Sequence, residues 1–198
     1  VSAVGNVVSL AIPPGIHVEG MLRAAARHLA PRGVYIHSYV LREECIDVRR
    51  EAVERRYIYY LPEAALDHCD IQRLEEALTA FRGTHNFSAF CKPDKGRSTD
   101  LAIRLGISLS HEHGFVVLGF RARHFMWHMI RKIVWTLVEA SKGNIDLPTI
   151  RDCLNKGQSV RNIGLAPPQF LVLHWVQMPE PLESSFERVS VRGMKEVI

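Results

Sequence analysis

The sequence has little cysteine and no long apolar run. Its four cysteines, Cys45, Cys69, Cys91 and Cys153, are scattered through 198 residues with no close pair. That excludes a close-pair zinc or redox motif, and in a chain this long the four read as reduced, intracellular thiols. No stretch approaches the roughly 18 uninterrupted apolar residues of a membrane span. There is no internal repeat, no low-complexity block and no G-x-S-x-G elbow, and no paired carboxylates stand out. Gly83 to Phe90 lacks the glycine spacing and the Lys-Ser/Thr ending of a phosphate-binding loop. What is present is an ordinary globular mix, 47% hydrophobic and 23% charged, which excludes a wholly disordered, collagenous or coiled-coil chain. The length fits one full domain, or one and a piece of another. A net charge of +4 is compatible with nucleic acid, but the distribution of charge matters more than its sum. The opening VSAVGNVVSLAI is neither a signal peptide nor a basic arm, and it reads as a strand already under way in a chain cut from something longer.

Alternation predicts strands over 4–12, 34–41, 57–61, 101–110, 115–122 and 170–176. Helical spacing runs from His17 to Leu29, ended by Pro31 and Gly33. Asp70 is a good N-cap for a helix over 71–82. Long and short helices are expected over 124–142 and 147–155. Residues 83–100 read as a loop, His111 to Gly114 as a turn, and the residues from Pro179 onward as a polar tail. Strands joined by a hairpin, with helices packed on one face, predict an α+β fold with a mainly antiparallel sheet.

The segment 124–142 carries most information. On a helical wheel Phe125, Met129, Ile130, Ile133, Val134 and Leu137 form one apolar face, while Trp127, His124, Trp135 and His128 surround Arg131 on the other. Arg131 is then partly desolvated and needs an anionic partner. It closes a structural ion pair, or it holds an active-site carboxylate or phosphate. His124 and His128 have the spacing of two ligands on a helix, but no third ligand is evident, so packing or RNA contact is the simpler role. His111-Glu112-His113 is a solvated hairpin tip. In Arg55-Arg56-Tyr57-Ile58-Tyr59-Tyr60-Leu61, Tyr57 and Tyr59 share one strand face. That segment is either a core strand with a charged entry or, with Arg49 and Arg50 nearby, a set of cations for phosphates beside an aromatic plane for a base.

Four segments, in order, resemble the tRNA pseudouridine synthase A family and its eukaryotic relatives. The tyrosine strand is similar to the family's R-x-Y-x-Y, and GTHNFSAFCK at Gly83 to Lys92 to its G-x-H/N-D/N-F-x-x-F. FMWHMIRKIVWTLVEASKG at Phe125 to Gly143 resembles F-x-x-H-M-[IV]-R-x-[IM]-V. Val1 to Leu10 resembles the strand that follows G-R-T-D-x-G-V.

The resemblance implies two α/β lobes with an RNA cleft between them. Residues 1–41 would end the N-terminal lobe, 42–178 would form the C-terminal catalytic and RNA-binding lobe, and 179–198 the tail. It implies isomerisation of uridine to pseudouridine in tRNA, in the anticodon stem-loop, without cofactor or metal, in the cytoplasm or the nucleus. The partners implied are tRNA, the missing N-terminal lobe of the same protein and a second copy in a homodimer, with no membrane. Tyr57 falls on the tyrosine that stacks on the uracil, and Arg131 on the arginine that pairs with the catalytic aspartate. Leu171, with Phe125 and His128, falls on the substrate pocket, and Arg49, Arg55, Arg56 and Lys132 on RNA-facing positions. The catalytic aspartate would lie three positions before Val1, and Asp47, Asp94 and Asp100 lack its context, so these 198 residues alone are expected to be inactive. The family's Gly-Leu ahead of the last strand is Pro168-Gln169 here. Two other readings fit the same residues: an RNA-binding module without chemistry, and a plain interaction domain in which Arg131 is structural.

Overall fold

A computed structural model describes residues 2–92, 102–157 and 163–179. The expectations for Asp94 and Asp100, for the rest of the 93–101 stretch and for the tail after Pro179 lie outside the described residues. The chain divides into two compact units, one of Val1–Val7 with Ala52–Gln177, the other of Val8–Glu51 with Met178–Ile198.

The first unit is built on a six-stranded sheet. In chain order its strands are β1 (Ser2–Ala3), β2 (Glu54–Pro62), β3 (Gly83–Asn86), β4 (Ala102–Glu112), β5 (Phe115–Ala122) and β6 (Leu171–Gln177). Their spatial order is β1-β6-β2-β5-β4-β3. Only β1 and β6 run parallel; the other neighbours are antiparallel. The fold is thus α+β with a mainly antiparallel sheet, as the patterning predicts.

Register explains the core. Tyr57 opposes Phe120, Tyr59 opposes Leu118 and Leu61 opposes Val116. On the other side of β2, Tyr57 opposes Leu173 and Tyr59 opposes Leu171. With a period of two, these side chains share one face, and nearly all of them are buried. The helices of this unit cover that face; in chain order after two in the second unit, they are α3 (Ile71–Phe81), α4 (Met129–Ser141) and α5 (Leu147–Lys156). Helix α3 buries Leu74, Ala77, Leu78 and Phe81, a stripe three and four residues apart. Its start is fixed as expected, since the Asp70 carboxylate accepts from the N–H groups of Gln72 at 2.9 Å and Arg73 at 3.3 Å. Asp146 caps α5 in the same way, by accepting from the Thr149 N–H.

Several expectations change. The strand expected over 4–12 does not form; pairing is confined to residues 2–3, with one further bond from the Val4 N–H to the Leu173 carbonyl. Pairing stops at Gly5, where a Cβ would sit 2.7 Å from the His174 carbonyl oxygen, so only glycine fits. Residues 83–86, read as loop, form β3 by pairing with β4. The hairpin turn tightens to His113 and Gly114, at φ +46° and +80°. Two consecutive positive φ values match the right-handed strand twist, which lets β4 extend to Glu112.

The long helix begins only at Met129, not at His124. His128 stands at φ +67° in the left-handed region, which ends helical geometry on its N-terminal side. In the stretch 124–128, Phe125 and Met126 pack against the core without forming a helix, and Trp127 is exposed. Accordingly His124 and His128 are not neighbours on one helical face.

The second unit contains α1 (Val18–Leu29) and the short α2 (Val48–Glu51). The His17 imidazole caps α1 by accepting from the Gly20 N–H. A 3₁₀ turn over Ala30–Arg32 closes on Gly33 at φ +73°. The strand expected over 34–41 does not form: a strand needs a neighbour for its backbone groups, and no described residue pairs with it. Val34, Tyr35, Val40 and Leu41 stay exposed. No helix among the described residues is long and apolar enough to cross a membrane.

Candidate active site

In the first unit Tyr57 meets Phe125, while Arg131 acts on Tyr59, whose partner on β6 is Leu171. Tyr57 lies mid-strand on the helix-covered face, and Phe125 meets it edge-on, with ring centroids 5.1 Å apart and planes at 80°. This T-shaped contact holds the phenol ring in one orientation. Burial raises the Tyr57 pKa, partly opposed by Arg55, so its hydroxyl stays protonated at neutral pH.

Arg131 sits in the first turn of α4, where the backbone of 163–171 crosses it. Its Nε donates to the Ala166 carbonyl at 2.6 Å, and the Ala166 N–H donates to the Arg131 carbonyl at 3.1 Å. These two bonds fix the start of the side chain and the loop together. Among the described residues no carboxylate comes within 4 Å of the guanidinium. Among the described residues Arg131 therefore forms no structural ion pair, one of the two roles open to it from sequence.

Tyr59 completes the frame, and its role was not anticipated beyond its sharing a face with Tyr57. Its hydroxyl donates to the Pro167 carbonyl at 3.0 Å. Burial pushes its pKa up to about 12, against the opposing pull of Arg131, so it remains a donor. The bond fastens the loop ahead of β6, and Phe170 meets the Tyr59 ring edge-on at 6.3 Å. The only sequence signal for such an anchor was the place of Tyr59 on the same strand face as Tyr57. The Pro168–Phe170 stretch forms a 3₁₀ turn and delivers Leu171, 5% exposed, into the core beside Tyr59. Leu171 is thus buried despite the departure at Pro168-Gln169.

The remaining cations are differently placed. The Arg55 guanidinium donates to the Arg123 carbonyl. Arg56 points to the opposite sheet face and pairs with Glu54 at 2.6 Å. Lys132 donates to the Cys91 carbonyl at 2.9 Å, tying α4 to the segment after β3. Arg49 belongs to the second unit, in α2. His128 lies beside Arg131: burial lowers its pKa, and Arg131, Lys92 and Lys132 lower it further. His124 is likewise held neutral, by burial and then by Arg55 and Arg123, and its Nε2 is buried without a hydrogen-bond partner among the described residues.

The arrangement offers an oriented aromatic ring, apolar side chains and a guanidinium that has no carboxylate partner among the described residues. Such a set suits a flat, neutral ring next to an anion.

Comparison with known proteins agrees with this chemistry. A profile described as tRNA pseudouridine synthase matches residues 77–179. A tRNA pseudouridine synthase A of Pyrococcus furiosus is 34% identical over 143 residues, covering 72% of this chain and 52% of that protein. Proteins of the same description from Methanosarcina barkeri and Chlamydia trachomatis are 29% and 27% identical over 93% and 84% of this chain, and 64% and 66% of their own length. The chain spans between about half and two thirds of the curated relatives it matches.

Proposed function

The chain belongs to the tRNA pseudouridine synthase family, and from that premise we propose that the whole protein isomerises uridine to pseudouridine in the anticodon stem-loop of tRNA. The observation that carries the reading is an oriented tyrosine ring, Tyr57, in the same unit as an arginine, Arg131, that has no carboxylate partner among the described residues.

The reaction needs both. A uridine in folded RNA must leave its stack before its C1′ and C5 atoms can be reached. Tyr57, braced by Phe125, offers the surface on which the extruded uracil stacks, and Leu171 closes the pocket. An aspartate from outside these 198 residues opens the C1′–N1 bond and pairs with Arg131, whose charge keeps it ionised. The uracil turns, C1′ bonds to C5, the C5 proton leaves and N1 regains a proton. On this reading the 198 residues alone are inactive. Residues 1–41 end an N-terminal lobe and 42–178 form the C-terminal one. Arg49, Arg55, Arg56 and Lys132 neutralise phosphates, and His128 helps to line the substrate pocket. Two copies of the protein pair as a homodimer.

The test is chemical mapping of pseudouridine in an unmodified tRNA transcript after incubation with the full-length protein. New pseudouridine is expected in the anticodon stem-loop and nowhere else. Modification confined to another arm would contradict the substrate assignment, and none at all would contradict the activity.

A further inference from the structure

Beside Arg131 lies a feature that the pocket does not use. Trp127 is 55% exposed, high for an indole, in the connection that carries Phe125 on one side and Arg131 on the other. It is held in place. The Lys92 N–H donates to its carbonyl at 2.9 Å, and the Lys92 ammonium stands 4.3 Å from the centre of its ring. The His128 ring lies 5.1 Å from the indole, tilted by 53°.

Among the described residues, the charges that act on His128 beside the indole have one sign. Lys92, Arg131 and Lys132 all act on His128, and no carboxylate of the described residues comes within 4 Å of any of the three. Arg23, Arg50, Arg56, Arg73, Lys142 and Lys156, by contrast, each have a carboxylate at 2.6 to 3.9 Å. Cations gathered without counter-ions create a local positive potential that favours an anionic ligand. A flat apolar ring exposed in the same place favours a ligand that also carries a planar apolar face. A nucleotide has both, whereas an acidic peptide lacks the plane and a free phosphate lacks the ring.

We propose that Trp127 and Lys92 form a stacking platform for a nucleotide next to the target uridine, the indole taking the base while Lys92 and Lys132 take its phosphate. The inference rests on the reading of the protein as a tRNA-modifying enzyme. It adds a second aromatic contact, outside the pocket, that holds the RNA strand while the uridine is extruded onto Tyr57. The motif resemblance leaves position 127 open.

The test uses the full-length protein, with tRNA affinity measured at several salt concentrations and single-turnover pseudouridine formation measured alongside. Trp127→Ala is expected to weaken tRNA binding by about five- to 150-fold, the range for loss of one stacked base. Trp127→Phe keeps a ring and should retain most of the affinity. Lys92→Ala should flatten the slope of log affinity against log salt by about 0.7 to 0.9. Because Trp127 is exposed, both Trp127 variants should keep the parent's melting temperature. If the parent binds and converts tRNA while Trp127→Ala binds equally well, the platform is refuted and the catalytic reading stands. If the parent neither binds nor converts tRNA, both fail.

Discussion

Arg131→Ala in the full-length protein is expected to lower the single-turnover rate of pseudouridine formation by about 10²- to 4 × 10³-fold. The basis is the state of the side chain. Its Nε is engaged with the Ala166 carbonyl, and no carboxylate of the described residues reaches its guanidinium. If the aspartate that opens the glycosidic bond pairs here, removing the arginine leaves a carboxylate desolvated and unpaired, a loss of about 3–5 kcal/mol, and each 1.4 kcal/mol is tenfold in rate. Arg131→Lys keeps the charge but not the planar fork, and should recover only part of the activity. The alanine variant also loses the bond to Ala166, so its melting temperature is measured alongside. A rate within about tenfold of the parent in a folded Arg131→Ala protein would mean that the arginine serves only the Ala166 loop.

Tyr57 gives the second large effect. Tyr57→Leu is expected to slow single-turnover conversion by about five- to 150-fold, since one base–aromatic stack is worth roughly 1–3 kcal/mol. Tyr57→Phe removes only a hydroxyl that burial keeps protonated, and should stay close to the parent. Phe125 enters through the same geometry, because it fixes the ring edge-on at 5.1 Å. Equal losses in the Phe and Leu variants would assign the role to the hydroxyl instead of the ring. No loss in either would remove Tyr57 from the site.

Strand and helix assignments were legible where a segment's period and its partner agree. Asp70 announces α3, and the alternation of Tyr57, Tyr59 and Leu61 announces the buried face of β2. The expectations that changed are those where a tertiary contact overrides local pattern. Residues 124–128 have helical composition, but Phe125 packs on Tyr57, and His128 adopts a positive φ at the start of α4. Residues 34–41 have strand composition and find no strand neighbour among the described residues. Conversely, Gly83 to Asn86 looks like loop and becomes β3, because β4 extends far enough to pair with it. Arg131 stood out as one of two full charges, with Lys132, between Phe125 and Val138. The sequence did not reveal that Ala166 and Pro167 would be tied to Arg131 and Tyr59. Those bonds join residues far apart in the chain and leave no local period.

The central claim is that these residues supply the uracil platform and the arginine of a pseudouridine synthase site, and that the nucleophile comes from outside them. It is tested most directly by release of tritium from tRNA labelled at C5 of uridine, with the full-length protein and the 198-residue chain assayed side by side. The account predicts release by the full-length protein and none by the 198-residue chain. Release by the 198-residue chain would place the nucleophile among its own residues, and absence of release from both would contradict the activity itself.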